Sequence, residues 1–304
     1  MTHFRTTLRL GVAGLAALYA LASPAQEGMT RSPVDGLGIA WSVAGEGPVT
    51  VVLVHGWQCD RGYWREQVGY IADQYRVLLV DLPGHGASEG GRTHWSMAAF
   101  GEDLAAVVGE TVTGPVVLVG HSMGGPVILE AAPRIDGLIG LVAVDTLRDA
   151  LSPPPDEAAL AAAMAPVEAD YAGVVRAFIE SMFVETTPPG LREEIITAMM
   201  AGDRDAGLGM MRGYARMDHA SAFARLEVPV VVLNSGYRPT PEQGLRALHP
   251  LLVVEEIEGA GHFPMLEIPG RFNAHLDRIL IRLVEGHVAG QSHGAAPGGV
   301  REQK

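Results

Sequence analysis

Residues 116–124 of the 304-residue chain, VVLVGHSMG, decide its fold. An apolar run of strand length leads directly into the pattern Gly120-Xaa-Ser122-Xaa-Gly124, and a helical pattern follows it. Small residues around a serine permit a sharp strand-to-helix turn, which holds the hydroxyl exposed at the carboxyl end of the strand. We therefore predict that Ser122 is a nucleophile. The backbone N–H of Met123, at the start of the helix, is expected to face the same space and to stabilise negative charge there.

On both sides of this turn, short apolar runs alternate with helical patterns. The predicted strands are Val49–Val54, Arg76–Val80, Val116–Val119, Leu138–Val144, Val228–Leu233 and Leu252–Ile257, with a weaker hairpin signal around Leu37–Val43. The predicted helices are Tyr63–Asp73, Met97–Thr111, Gly125–Pro133, Pro241–Leu248 and Arg271–Glu285. Near-continuous apolar strands that alternate with helices indicate an α/β fold, in which helices cover both faces of a parallel sheet.

One interval breaks the alternation, because no strand signal occurs between Val144 and Val228. The interval is rich in alanine and methionine and is interrupted by two proline clusters. We predict a helical insertion at about residues 147–220 that lies over the sheet. Its methionines suit either ordinary packing or the wall of an adaptable apolar pocket; they are Met164, Met182, Met199, Met200, Met210, Met211 and Met217.

Both ends of the chain are predicted to lie outside the folded domain. Residues 1–25 have a basic start without acidic residues, an apolar run and small residues suited to cleavage, which is the layout of a secretory signal peptide. The run is short for a membrane span, although an uncleaved anchor stays open. We expect a periplasmic or secreted protein with no stable membrane span in the mature chain. Residues 34–285 form the predicted domain, and residues 286–304, without apolar periodicity, a disordered tail.

The composition excludes several classes of protein. With 48% hydrophobic and 19% charged residues, the chain has enough apolar surface to fold. A formal charge of −13 argues against nucleic acid as a partner, since phosphate binding needs a basic surface. The single cysteine, Cys59, excludes an internal disulfide and zinc sites built from several cysteines. We expect no metal and no organic cofactor.

Two further segments provide groups that a serine nucleophile needs. Residues 55–57, His-Gly-Trp, follow a predicted strand, and the backbone N–H of Trp57 is a candidate second oxyanion donor because Gly56 allows close approach of the backbone. Residues 259–263, GAGHF, form a glycine-rich bend after the last predicted strand. His262 in that bend is the candidate general base.

Taken together, these segments resemble those of the α/β-hydrolase superfamily, and they occur in its order. They are residues 55–57, residues 81–88 (DLPGHGAS), the turn at Ser122 and residues 261–267 (GHFPMLE). The resemblance covers the chain from about residue 34 to residue 284. It implies an eight-stranded, mostly parallel sheet with helices on both faces, a helical cap inserted after the sixth strand, and a Ser–acid–His triad. It assigns residues 81–88 to structure and not to catalysis.

The acid of the triad is the point at which this sequence departs from the commonest family pattern. In most relatives the acid follows the seventh strand, where this chain has no carboxylate before Glu242. In other branches it follows the sixth strand, where Asp145 comes directly after Leu138–Val144. We rank Asp145 first and Glu242 second, and we leave open Asp149 or the absence of a triad acid.

The predicted function is that of a serine hydrolase, which cleaves a carboxylic ester, lactone or thioester through an acyl-enzyme. The expected partner is a small-molecule substrate with an apolar acyl or alcohol group, and the oligomeric state is not predicted. Alternatives are cofactor-free perhydrolysis, hydrolysis of a carbon–carbon bond with the same triad, and a non-catalytic ligand-binding protein of this fold. Serine at position 122 argues against epoxide-hydrolase and dehalogenase chemistry, which uses an aspartate nucleophile in relatives.

Overall fold

A computed structural model describes residues 26–294 of the chain, and its side chains as far as residue 291. The predicted signal peptide, residues 1–25, lies outside the described residues, as do residues 295–304 of the predicted tail.

Eight strands form one sheet in the spatial order β1-β2-β4-β3-β5-β6-β7-β8. They are β1 (Gln26–Arg31), β2 (Gly38–Ala44), β3 (Thr50–Val54), β4 (Arg76–Val80), β5 (Val116–His121), β6 (Leu138–Val144), β7 (Val230–Ser235) and β8 (Leu252–Ile257). Strand β2 pairs antiparallel with β1 and with β4, and all other neighbours are parallel. The eight-stranded, mostly parallel sheet is therefore confirmed.

Helices in the described part of the chain cover the sheet or form the cap. They are α1 (Arg65–Ile71), α2 (Met97–Thr111), α3 (Gly124–Ala131), α4 (Glu157–Ala169), α5 (Tyr171–Glu180), α6 (Pro189–Met200), α7 (Arg204–Ala215), α8 (His219–Phe223), α9 (Glu242–Leu248), α10 (Pro264–Glu267) and α11 (Pro269–Gly294). Every residue of β3 and β5 is buried, which is why these strands read as unbroken apolar runs. Helix α2 packs on α3, and α1 packs on α11.

Helices α4–α8 lie between β6 and β7, and we call these helices and the loops that join them the cap. Four of them begin at an aspartate whose carboxylate accepts a backbone N–H of the first turn; the aspartates are Asp156, Asp170, Asp203 and Asp218. Such N-caps stabilise a helix by about 1 kcal/mol each, which suits short helices with little propensity to spare. The helical insertion after the sixth strand is thus present as predicted, and its helices run from Glu157 to Phe223.

The boundaries of the predicted domain, residues 34–285, are wrong at both ends. Strand β1 begins at Gln26, and its exposed, polar edge gives no apolar run that the sequence could show. Helix α11 continues to Gly294, so residues 286–294 are helical and not part of a disordered tail. A hydrogen bond of 2.8 Å between Gln291 Nε2 and His287 Nε2, four residues apart, supports this polar extension.

Within residues 26–294, no single helix is long and apolar enough to cross a membrane. Helices α4 and α5 meet that criterion only as a pair, and they are bent by 100° at their junction.

Candidate active site

Ser122 lies at the tip of the turn between β5 and α3, with a backbone φ of +53°. The two flanking glycines make this turn possible. A Cβ on Gly120 would lie 2.2 Å from the carbonyl oxygen of Gly124, and a Cβ on Gly124 would lie 2.6 Å from that of Val54. Any side chain at either position would therefore push the turn out of shape. The strain at Ser122 is typical of a residue that the surrounding backbone holds for function.

Ser122, His262 and Asp145 lie in one hydrogen-bonded row. The distance from Ser122 Oγ to His262 Nε2 is 2.9 Å, and that from His262 Nδ1 to Asp145 Oδ2 is 2.5 Å. A carboxylate only accepts hydrogen bonds, so Nδ1 carries the proton and Nε2 is free to accept the serine proton. The structure thus brings together the predicted nucleophile, the predicted base and the first-ranked acid.

Asp145 is buried and is held by donors on both of its oxygens. Its Oδ1 accepts hydrogen bonds from the backbone N–H of Ser235 (2.9 Å), the Ser235 hydroxyl (2.6 Å) and the Arg148 guanidinium (2.7 Å). Burial by itself would raise the pKa of Asp145, but the hydrogen bonds from His262 and Arg148 outweigh it and hold the pKa well below its usual range. The carboxylate therefore stays ionised throughout the physiological pH range.

The two alternative acids bond elsewhere. Glu242 is the first residue of α9 and forms an ion pair with Arg246 at 2.7 Å. Asp149 accepts a hydrogen bond of 3.0 Å from the hydroxyl of Tyr214 in α7. Neither carboxylate is the partner that His262 Nδ1 has in this structure.

The loop that carries His262 is fixed by Glu267, five residues further along. Its two carboxylate oxygens accept the backbone N–H groups of Gly261 (3.0 Å) and Phe263 (2.9 Å), on either side of the histidine. The N–H of His262 itself donates to the carbonyl of Met182 in the cap at 2.8 Å. The imidazole is therefore positioned by both the sheet domain and the cap.

The predicted oxyanion donors lie on two segments that meet at Ser122. A Cβ on Gly56 would lie 2.9 Å from the Cβ of Ser122, so the backbone of residues 55–57 packs directly on the nucleophile. Within residues 26–294, neither the Trp57 nor the Met123 amide donates to another protein group. A developing oxyanion would need two such donors.

The cap also contacts the side chains of Trp57 and Gln58. The indole Nε1 of Trp57 donates to the carbonyl of Gly207 in α7 at 3.0 Å. The side-chain amide of Gln58, whose φ is +53°, reaches the Tyr171 hydroxyl (3.2 Å) and the Asp203 carbonyl (3.0 Å). A Cβ on Gly207 would lie 2.5 Å from the side-chain amide of Gln58, so the backbone of α7 packs directly on that side chain.

A cavity of about 410 Å³ opens onto Ser122 and His262. Four of the seven cap methionines line it, which favours the pocket-wall interpretation for these four; they are Met182, Met199, Met210 and Met211. Phe178 of α5 and Trp57 add aromatic surface, and Tyr237, Arg148 and Arg238 provide polar groups. Across the described residues, no cluster of three or more histidine, cysteine or acidic side chains is arranged to hold a metal ion.

Three buried histidines support the site without a hydrogen bond to the side chain of Ser122, His262 or Asp145. His55 Nε2 accepts the N–H of Leu82 at 3.0 Å, and His85 Nε2 accepts that of Gln58 at 3.2 Å, so both rings must be neutral. His121 Nε2 donates to the carbonyl of His262 at 2.7 Å. Burial lowers the pKa to about 4 for His55 and to about 3 for His85 and His121.

These lowered pKa values predict that stability falls with pH between about 6.5 and 4. In that window the unfolded chain binds protons at His55, His85 and His121 that the folded chain does not bind. Each such histidine costs about 1.4 kcal/mol of unfolding free energy per pH unit, or about 4 kcal/mol for all three. Urea unfolding at pH 8, 7, 6 and 5 checks this: we expect a plateau above 6.5 and a steep loss below it. An equal free energy of unfolding at pH 7 and pH 5 would contradict the lowered pKa values of these three histidines.

Several residues of the site were not predicted from the sequence. Ser235 and Arg148 bind Asp145, and the Tyr237 hydroxyl lies 3.4 Å from His262 Nδ1. Ser235 could have been predicted as a site residue from its position. It ends β7, next to the end of β6 in a parallel sheet, and site residues gather at this edge. The orientation of Tyr237 could not have been predicted, since it depends on long-range packing.

The family model of the alpha/beta hydrolase family matches residues 51–275. A pimeloyl-[acyl-carrier protein] methyl ester esterase of Methylococcus capsulatus is 40% identical over 103 residues, which are 34% of this chain and only 38% of that protein. An esterase with the same name from Xanthomonas oryzae pv. oryzae is 28% identical over 255 residues, 78% of this chain and 97% of that one. The solved structure of a malate-bound thermophilic esterase from Thermogutta terrifontis is similar with a TM-score of 0.73 and 27% identity, covering 85% of this chain and 99% of that one.

Proposed function

This chain belongs to the alpha/beta hydrolase family, and on that premise we propose that it is a serine esterase acting through a Ser122–His262–Asp145 triad. The observation that carries the proposal is the hydrogen-bonded row from Asp145 through His262 to Ser122, which ends in an apolar cavity. A protein that only bound a ligand would have no need of a strained serine with an aligned base.

In the proposed mechanism, His262 Nε2 takes the Ser122 proton while Oγ attacks the ester carbonyl. The N–H groups of Trp57 and Met123 hold the oxyanion that forms. Asp145 stabilises the imidazolium, which then protonates the departing alcohol. A water molecule, deprotonated by the same imidazole, attacks the acyl carbon; the bond to Ser122 Oγ breaks, the imidazolium returns the proton to Oγ, and the acid is released.

The similarity to esterases supports an ester as the substrate, since two relatives aligned along most of the chain, one of known sequence and one of known structure, carry that name. The methionine-rich wall supports an apolar group next to the ester, because flexible thioethers pack well on varied aliphatic chains. Lactones and thioesters present the same carbonyl chemistry and belong to the proposed substrate range.

Hydrolysis of p-nitrophenyl esters of rising acyl length tests this proposal. Each added methylene that finds apolar contact contributes about 0.8 kcal/mol, or about a fourfold rise in kcat/KM. We expect kcat/KM to rise along the series until the chain outgrows the cavity, and then to fall. A folded protein that hydrolyses none of these esters above the level of Ser122→Ala would refute the proposal.

A further inference from the structure

Arg238, which follows β7, lines the same cavity as Ser122 and carries an unpaired positive charge there. Arg238 is an exposed residue, and its guanidinium forms no ion pair with a carboxylate in residues 26–291. Its hydrogen bond there goes to the Ser181 hydroxyl of the cap, at 3.4 Å. Arg148, the other arginine of the cavity, differs in this respect, because its guanidinium binds Asp145 at 2.7 Å. Arg238 is therefore the lining cation that has charge to offer to a ligand.

The guanidinium of Arg238 stacks on the ring of Tyr237, which also lines the cavity. The guanidinium carbon of Arg238 lies 5.3 Å from the Tyr237 ring centroid, and that of Arg148 lies 5.2 Å from it. The same ring centroid lies 6.5 Å from that of His262. Stacking on an aromatic face orients a guanidinium and leaves its edge free to donate. Ser122, Tyr237 and Arg238 line the same cavity, so one small ligand can contact both the serine and this edge.

The other charges of the chain and of the cavity bear on what Arg238 can bind. The chain carries a formal charge of −13, so it repels anionic substrates at long range. Asp145 forms an ion pair with the guanidinium of Arg148. The remaining acidic lining residue, Asp149, is hydrogen-bonded to Tyr214 of α7, on a different element from Arg238. A local cation is needed if such a chain is to accept an anionic ester.

From these observations we propose that Arg238 forms an anion subsite, and that the preferred substrates are small esters bearing a carboxylate at the end of an apolar chain. The ester lies at Ser122, the aliphatic spacer packs on the cap methionines, and the carboxylate binds the Arg238 guanidinium. The inference rests on the proposed esterase function and specifies its substrate class.

Two matched pairs of esters test the subsite through methanol or acid release. Monomethyl adipate is compared with the methyl ester of adipic acid monoamide, which places the charge in the acyl part. The acetate ester of 4-hydroxybutyrate is compared with that of 4-hydroxybutyramide, which places the charge in the alcohol part. For at least one pair we expect kcat/KM of the anion to exceed that of the amide about tenfold at low salt, with a smaller ratio at high salt.

Arg238→Gln should reduce the ratio to about one while hydrolysis of the neutral amides is retained. Arg246→Gln removes the same formal charge from a surface ion pair of α9 and should keep the wild-type ratio. No preference in either pair, or a preference that survives Arg238→Gln, would overturn the subsite alone. Failure to hydrolyse the neutral esters would instead count against the esterase function itself.

Discussion

Replacing Ser122 with alanine is expected to lower kcat for ester hydrolysis by about 10⁶-fold, the loss seen when the nucleophile of a serine hydrolase is removed. The change deletes only Oγ, whose hydrogen bond in this structure is to His262 Nε2, so the fold should be preserved. The measurement is kcat with a p-nitrophenyl ester, together with thermal unfolding of both proteins. Ser221→Ala is the matched control, because it removes an exposed hydroxyl of α8 that bonds only locally to Asp218.

Alternative chemistry would give a different result. If water were activated directly by His262, Ser122→Ala would keep a substantial fraction of the wild-type kcat. That outcome, with Ser221→Ala also active, would remove the acyl-enzyme from the mechanism while leaving His262 as the base.

The second large effect concerns the acid. Asp145→Asn should lower kcat by about 10⁴-fold, because the asparagine amide can donate to Nδ1 and favours the wrong imidazole tautomer. Glu242→Gln should leave kcat close to wild type, since Glu242 pairs with Arg246 on its own helix. Asp149→Asn should likewise retain most of kcat, since its carboxylate bonds to Tyr214. Each of the three variants replaces one carboxylate oxygen by an amide nitrogen, so they form a matched series.

Stability must be measured alongside, because Asp145 also accepts hydrogen bonds from Ser235 and Arg148. Loss of the carboxylate leaves Arg148 without its ion-pair partner and is expected to cost a few kcal/mol of unfolding free energy. A folded Asp145→Asn protein with near-wild-type kcat would show that Asp145 is structural. A large loss in Glu242→Gln would move the acid to α9.

The elements closest to Ser122 were the most predictable from sequence. Buried parallel strands such as β5 are recognisable in the sequence as apolar runs. Gly120 and Gly124 mark a turn that only glycine permits. Asp145 could be proposed because it ends β6, at the sheet edge where sites gather. These features are local, so the sequence around each of them carries the information.

Features that depend on distant contacts were missed. Strand β1 is an exposed edge with polar side chains, and its only signal is its pairing with β2. The polar end of α11 lacks apolar periodicity, although it remains helical to Gly294. The side-chain amide of Gln58 donates to the hydroxyl of Tyr171, more than a hundred residues away, because the cap packs on the loop that follows β3. Neither the sequence around Gln58 nor the sequence around Tyr171 predicts this contact.

The most direct test of the account is covalent labelling with a fluorophosphonate, followed by mass spectrometry of the digested protein. A fluorophosphonate reacts with a serine whose hydroxyl is activated by an adjacent base and an oxyanion hole. We expect one adduct, on the peptide that contains Ser122, with no adduct in Ser122→Ala and much slower labelling in Asp145→Asn. A folded wild-type protein that hydrolyses esters without being labelled at Ser122 would contradict the account.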